Sequence, residues 1–330
     1  MNKVLVTGAT TFLGYHVTRR LNQLGMRPRI LELPGSNADP FTTLDVEWCR
    51  GDLSDSGAIG AACEGVDTLL HTAFKVSVGG GAELHEEMRR INVAGTERLL
   101  DTAAAQGVSR AVVTGSALAV GVNRRPQPLT ETADWSEHVF DFPYAVIRRQ
   151  AEQVALSRSK PGFVVNSAAP AFTLGPDDPV GAPANKLVKA VMNGKLPFTL
   201  PPVGFGCLDV RDFASGMVLA GERGVSGQRY LLSGENVMAK DFIALAAAVA
   251  GVKPPRLPLP PFLLHILVAG VEGLSALRRK PAPVTRSVLQ IVGRYAWYDT
   301  TRARTELGWS ARPLRETLED TIGWLRRQGT

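Results

Sequence analysis

The stretch "VTGATTFLG", residues 6 to 14, restricts the folding of this 330-residue chain more than any other. The apolar run "KVLV" (3 to 6) precedes it, and Leu13, Val17, Leu21 and Leu24 follow at helical spacing, so the order is strand, tight turn, helix. Gly8 allows the turn and Gly14 lets the helix lie close to the sheet. The free amides at the helix start, those of Phe12 and Leu13 among them, then suit the pyrophosphate of a dinucleotide.

The same alternation continues along the chain. "RILEL" (29 to 33), "VDTLLH" (66 to 71), "RAVVTG" (110 to 115) and "GFVVNSA" (162 to 168) are short apolar runs, often β-branched, of the kind buried on both faces of a parallel sheet. Helical patterns lie between them. One is 92 to 107, with Leu99, Leu100, Ala103 and Ala104 on one face and Gly107 as its stop. The expectation is an α/β, Rossmann-type doubly wound parallel sheet. Beyond residue 175, prolines crowd 176 to 202 and 254 to 261, and helical patterns recur at 184 to 194, 240 to 250, 261 to 278 and 313 to 327. The expected division is a dinucleotide-binding domain at 1–170, with parts of 205–234 returning to it. A smaller, interleaved substrate lobe is expected from 171–204 and 235–330.

Composition narrows the function class. Cys49, Cys63 and Cys207 are scattered, and His16, His71, His85, His138 and His265 show no HExxH or HxxxH spacing, so neither a disulfide framework nor a metal is expected. A cytoplasmic location follows from that cysteine usage and from an N-terminus, "MNKVLVTG", too short in apolar residues for a signal peptide. The net charge of +6 is spread along the chain and forms no block, so nucleic acid is not an expected partner. "PFLLHILVAGVEGLSALRRK" (261 to 280) falls short of the roughly twenty apolar residues that span a bilayer, and no transmembrane segment is expected. It is read as a core helix whose basic end suits the helix dipole; peripheral membrane contact through an interfacial helix is the alternative.

Glu32 lies eighteen residues after Gly14, at the end of the second strand, where a carboxylate binds adenosine ribose hydroxyls and repels a 2′-phosphate. NAD(H) is therefore favoured and NADP(H) kept open, since Arg27 and Arg29 could weaken the discrimination; Arg29 is expected on the face opposite Leu31.

These features resemble the extended short-chain dehydrogenase/reductase family of NAD-dependent epimerase/dehydratase type. The glycine pattern of that family matches at Thr7, Gly8 and Gly14, with Thr11 in place of the middle glycine, a departure expected to crowd the pyrophosphate and lower affinity. "GDLSD" (51 to 55) is similar to the segment whose residues, here Asp52 and Leu53, flank the adenine. "LLHTAF" (69 to 74) is similar to the strand end along the cofactor. The resemblance also implies cofactor contacts for Ala73, Phe74 and Pro170, and matches Asn92 to a helix asparagine. Within the family, residues 92 to 116, 227 to 236 and 299 to 309 are similar to dihydroflavonol-reductase-like and 3β-hydroxysteroid-dehydrogenase-like proteins.

The resemblance further implies a catalytic serine, tyrosine and lysine, matched by Ser116, Tyr144 and, in place of lysine, Arg148. Their chemistry has a physical basis. A carbonyl oxygen that gains charge on hydride transfer needs a proton, which a phenol can give; a hydroxyl can hold that oxygen, and a nearby cation favours the phenolate. One helical turn puts Arg148 beside Tyr144. Arginine keeps the charge but cannot relay a proton, so activity is expected to be reduced but real.

The expected function is an NAD(P)-dependent interconversion of a ketone and a secondary alcohol on a bulky, hydrophobic small molecule. Phe74, Lys75, Val76, 170 to 174, 200 to 205 and 261 to 278 are candidate lining. A nucleotide-sugar epimerase or dehydratase with tightly bound NAD is one alternative, for which Lys186, Lys189, Arg211 and Arg294 could hold a diphosphate. A catalytically weak dinucleotide sensor is another. By resemblance, a homodimer through helices 92 to 106 and 142 to 158 is expected.

Overall fold

A computed structural model describes residues 1–77, 79, 81–135, 142–196, 198–199, 201–255, 257, 260–278 and 286–329. Seven parallel strands form its larger sheet: β1 (Val4–Thr7), β2 (Arg29–Glu32), β3 (Glu47–Arg50), β4 (Thr68–His71), β5 (Arg110–Thr114), β6 (Val164–Pro170) and β9 (Arg229–Leu232). Their order is β3-β2-β1-β4-β5-β6-β9, so the winding direction reverses between β1 and β4. Helices α1 (Phe12–Gln23) and α7 (Val210–Arg223) cover one face; α2 (Ser56–Cys63), α4 (Gly95–Ala105) and α5 (Pro143–Leu156) cover the other.

Period-two alternation divides each strand between two cores. Val4 and Val6 meet Val17, Leu21 and Phe213, whereas Leu5 points the other way to Ile59, Leu99 and Leu100. Burial on both faces is why these strands are continuous apolar runs. The same period corrects the expectation for Arg29, which shares its face with Leu31 because strand residues two apart point the same way. Its guanidinium donates to the carbonyls of Ala62 (2.8 Å) and Glu64 (2.9 Å) at the end of α2 and pairs with Glu47.

The helix expected at 92 to 107 starts earlier. Helix α3 (Ala82–Arg89) runs through a π-helical turn, Arg90–Ala94, into α4. The wider turn carries Asn92 inward, where its amide bonds both the N–H and the carbonyl of Lys75 at 2.8 Å. Gly107 ends the path with φ +83°, as its stop position requires.

The second sheet is centred on β8 (Gly204–Asp209), parallel to β7 (Phe172–Leu174) and β11 (Tyr295–Ala296) and antiparallel to β10 (Asn236–Met238). Helices α6 (Pro183–Met192), α8 (Ala239–Ala250) and α10 (Leu314–Arg327) pack on it through Val188, Phe242, Ile243, Leu318 and Ile322. This packing removes part of the expected substrate lining. Leu174 is core, and Phe172 and Phe205 meet with ring centres 4.9 Å apart, each also edge-on to Phe242 at 6.2 and 5.5 Å. Leu200 lies outside the described residues.

Helix α9 (Pro261–Leu277) is not the expected core helix. Among its described side chains only Val268 is buried, while Phe262, Ile266 and Leu277 are 68%, 60% and 82% exposed. No described helix is long and apolar enough to cross a membrane.

Candidate active site

The C-terminal ends of β1 and β4 are locked together at the point where the winding reverses. Gly8 takes φ +73°, and a Cβ there would lie 2.4 Å from Ala73 Cα; one on Gly14 would lie 2.0 Å from the Gly8 carbonyl. The Thr72 hydroxyl donates to the Thr7 carbonyl at 2.7 Å. Thr11 is the N-cap of α1: its hydroxyl donates to Gly8 O (2.8 Å) and its oxygen accepts from the Gly14 N–H (3.1 Å). That hydroxyl therefore closes the loop on itself. The first-turn amides of Phe12 and Leu13 have no intrahelical acceptor and suit an anion.

Glu32 is 6% exposed and bonds the same loop, accepting from the N–H (3.0 Å) and hydroxyl (2.8 Å) of Thr10. Burial raises its pKa, against the Thr10 and Ala9 bonds and the charge of Arg50. Of the arginines expected to affect cofactor choice, Arg27 pairs with Asp45 and Arg29 with Glu47 and α2. The cation in register beside Glu32 is instead Arg50, exposed and stacked 4.2 Å over Trp48. Sequence reasoning missed it because strand register is a tertiary property. The Asp52 carboxylate accepts from the Ser54 N–H (2.6 Å), a bond that lowers its pKa, and the Leu53 carbonyl accepts from Arg98.

At the end of β4, His71 is fully buried between the hydroxyls of Thr7 (2.6 Å) and Thr96 (3.0 Å). Burial, helped by the charge of Arg148, pushes its pKa down to about 3, so it stays neutral. Phe74, three residues on, lies against the His71 ring at 4.6 Å and beneath Arg148.

The edge formed by β5 and α5 brings Ser116, Tyr144 and Arg148 into one neighbourhood. Ser116, 5% exposed, precedes the 3-10 turn Ala117–Ala119, on which α5 packs. Helix α5 begins with Pro143 at its first position, which makes Tyr144 the second residue and puts Arg148 one turn later. Tyr144 packs against the buried cluster Val122, Phe142 and Ala145, which Leu118, Ile291 and Ala296 also border. Nearby Tyr298 donates to the Gly121 carbonyl (3.1 Å); burial, and then Tyr144, raise its pKa, so it remains a phenol. No local sequence signal marks Tyr298, which reaches the site from 177 residues away.

Arg148 is 3% exposed. Its Nη2 donates to the carbonyls of Thr114 (2.5 Å) and Gly115 (2.6 Å), and its guanidinium lies 3.7 Å from the Phe74 ring centre. Burial lowers its pKa while Tyr144 and Glu152 raise it, and an arginine starts far above neutrality. Its Nε and Nη1, with Thr114 Oγ1, are buried and have no partner among the described residues. Buried donors are nearly always satisfied. Two orphaned donor nitrogens on one cation, at the cofactor edge of the sheet, fit the hydroxyls of a nucleotide ribose, and the glycine loop fits its pyrophosphate.

Of the cations considered for a diphosphate, Arg294 alone adjoins the cluster of Tyr144, its backbone N–H bonding the Ile291 carbonyl at 3.1 Å. Arg211 is held by Asp209 and Asp320, both at 2.7 Å, and Lys186 and Lys189 are exposed on α6. A surface concavity of about 790 Å³ is lined by residues of α3, the π-helical turn and α4, including Glu83, Glu86, Arg90 and Glu97, and by none of Ser116, Tyr144 or Arg148.

Known proteins resemble this chain in sequence and in fold. A sequence model described as "NAD dependent epimerase/dehydratase family" matches residues 4–233. Sterol demethylase protein B of Methylococcus capsulatus is 30% identical over 330 residues, 98% of each chain. The 4-hydroxy-2-methyl-3-oxo-4-farnesyl-3,4-dihydroquinoline-1-oxide ketoreductase of Stigmatella aurantiaca is 27% identical, covering 97% of this chain and 95% of its own. The crystal structure of gox2253 superposes with a TM-score of 0.85 at 31% identity, over 100% of this chain and 99% of that one.

Proposed function

The chain belongs to the NAD dependent epimerase/dehydratase family and is an NAD(P)-dependent enzyme of the extended short-chain dehydrogenase/reductase type, and from that premise we propose that it interconverts a ketone and a secondary alcohol on a bulky, hydrophobic substrate. The observation that carries the reading is Arg148, a buried cation with two unsatisfied donors one helical turn from Tyr144. A bound nicotinamide dinucleotide supplies or accepts the hydride. Tyr144 gives its phenolic proton to the carbonyl oxygen, and the Ser116 hydroxyl donates a hydrogen bond to that same oxygen. The charge of Arg148 holds the phenolate left behind, and Nε and Nη1 bind ribose hydroxyls. An apolar substrate suits the aliphatic and aromatic wall around Tyr144, and the ion pairs that occupy Arg211 speak against a diphosphate there. The ketoreductase and sterol-named relatives support the same choice.

The test is reduced-nicotinamide turnover over a panel of bulky hydrophobic ketones, with wild type, Arg148→Met and Arg148→Lys. Arg148→Met is expected to lower kcat/KM by about 10²-fold. Arg148→Lys, which restores a cation at that position, is expected to recover most of the loss. Turnover that Met leaves unchanged would mean that Arg148 takes no part in the reaction. Dinucleotide binding without turnover of any ketone by wild type or Arg148→Lys would favour a sensor.

Glu32 and Arg50 oppose each other beside the expected ribose, and NAD(H) is favoured because the carboxylate is the group tied to the glycine loop. Glu32→Ala is expected to raise KM for NADH about tenfold and to narrow or invert the preference over NADPH, with Arg50 left to face a 2′-phosphate. An unchanged ratio of the two cofactors in steady-state assays would remove Glu32 from their recognition.

A further inference from the structure

Helix α9 is amphipathic in the inverted sense. The less exposed side chains are Leu263, Leu264, buried Val268, Glu272 and Ser275, whereas Phe262, Ile266, Leu267, Val271, Leu274 and Leu277 are exposed at 37% to 82%. An apolar stripe over more than four turns is a larger patch than scattered surface leucines make and marks an interaction surface. Its one acid is neutralised, since Glu272 accepts from the backbone N–H (2.8 Å) and Nε (3.1 Å) of Arg286.

The surrounding charge identifies the partner. From Lys253 to Arg286 the sequence holds six basic residues against Glu272 alone; Arg278 stands at the end of the stripe, and Arg279 and Lys280, which follow it in sequence, lie outside the described residues. We propose that α9 docks this protein on an anionic lipid bilayer, lying in the interface with its exposed face among the acyl chains and its flanking cations among the headgroups. A second copy of the chain fits less well, because an isologous contact through this face would bring two such cationic segments together. The docking does not depend on the proposed reaction. If that reaction holds, docking also explains how an apolar substrate arrives: Arg286, held by Glu272, opens the 3-10 turn Arg286–Ile291, and Ile291 packs in the cluster that holds Tyr144.

The experiment is co-sedimentation of the full chain with vesicles of phosphatidylcholine, and of phosphatidylcholine with phosphatidylglycerol. Wild type is expected to partition to the anionic vesicles, less so at high salt. Phe262→Ser/Ile266→Ser is expected to weaken partition at least about tenfold, with the circular-dichroism spectrum and dinucleotide binding of wild type. Arg278→Glu is expected to weaken binding to anionic vesicles only. The proposal fails if wild type stays in the supernatant with every vesicle, or if the double variant binds as wild type does. It also fails if wild type sediments as a dimer without lipid and the double variant as a monomer, which would make the face a subunit contact. None of these outcomes requires turnover, so failure of docking and failure of the proposed reaction are separable.

Discussion

Tyr144→Phe is expected to lower kcat/KM by about 10⁴-fold, equivalent to about 5 kcal/mol of transition-state stabilisation, while leaving dinucleotide affinity within about threefold of wild type. Only the phenolic oxygen is removed. The ring keeps its place against Val122, Phe142 and Ala145, so the fold should tolerate the change. Neither Ser116 nor Arg148 can replace the lost proton: a serine hydroxyl is a far weaker acid, and the guanidinium does not deprotonate. Tyr298 is the other phenol nearby, but it is buried and donates to Gly121, with its pKa raised. Single-turnover absorbance of reduced nicotinamide, with dinucleotide affinity measured separately, checks the prediction. A Phe variant with near-wild-type turnover would assign the proton transfer to another group.

Glu152→Ala carries the largest expected loss of stability, about 3–5 kcal/mol, because it breaks a buried ion pair and leaves one partner uncompensated. The carboxylate, with a side chain 1% exposed, accepts from the Ser167 hydroxyl of β6 (2.5 Å) and from Arg229 of β9, whose Nε lies at 2.7 Å. It therefore ties α5 to two strands of the large sheet. Without it the Arg229 guanidinium retains the Glu131 carbonyl at 3.4 Å, a weak substitute for a charge. For a chain of this length, 4 kcal/mol lowers the melting temperature by about 6 °C. Glu152→Gln should fall between, since an amide oxygen can still accept from Ser167. A thermal melt of the Ala variant within about 1 °C of wild type would show that the pair is not structural.

Much of the fold was legible because its signals are local. A strand, a glycine turn and a helix with Leu13, Val17 and Leu21 on one side can form only one supersecondary unit, and strands buried on both faces exclude an open antiparallel sheet. Tyr144 and Arg148 were legible as a pair for the same reason, four residues being one helical turn. The small lobe was less so. Strands β7, β10 and β11 have three, three and two residues, too few for alternation to show, and their pairing on β8 comes from distant segments.

The sequence by itself determined the order of elements, the glycine-bearing loop and which side chains share a face. Tertiary structure decided what each face meets: Arg29 on the end of α2, Arg50 beside Glu32, and Arg148 held by the carbonyls of β5 over Phe74. It also brought Tyr298 beside the site and turned the apolar side of α9 outward. The physical reason is that periods of 2 and 3.6 residues are set by backbone geometry within one segment. A partner across the fold is set by register and packing between segments that the periodicity of neither one encodes.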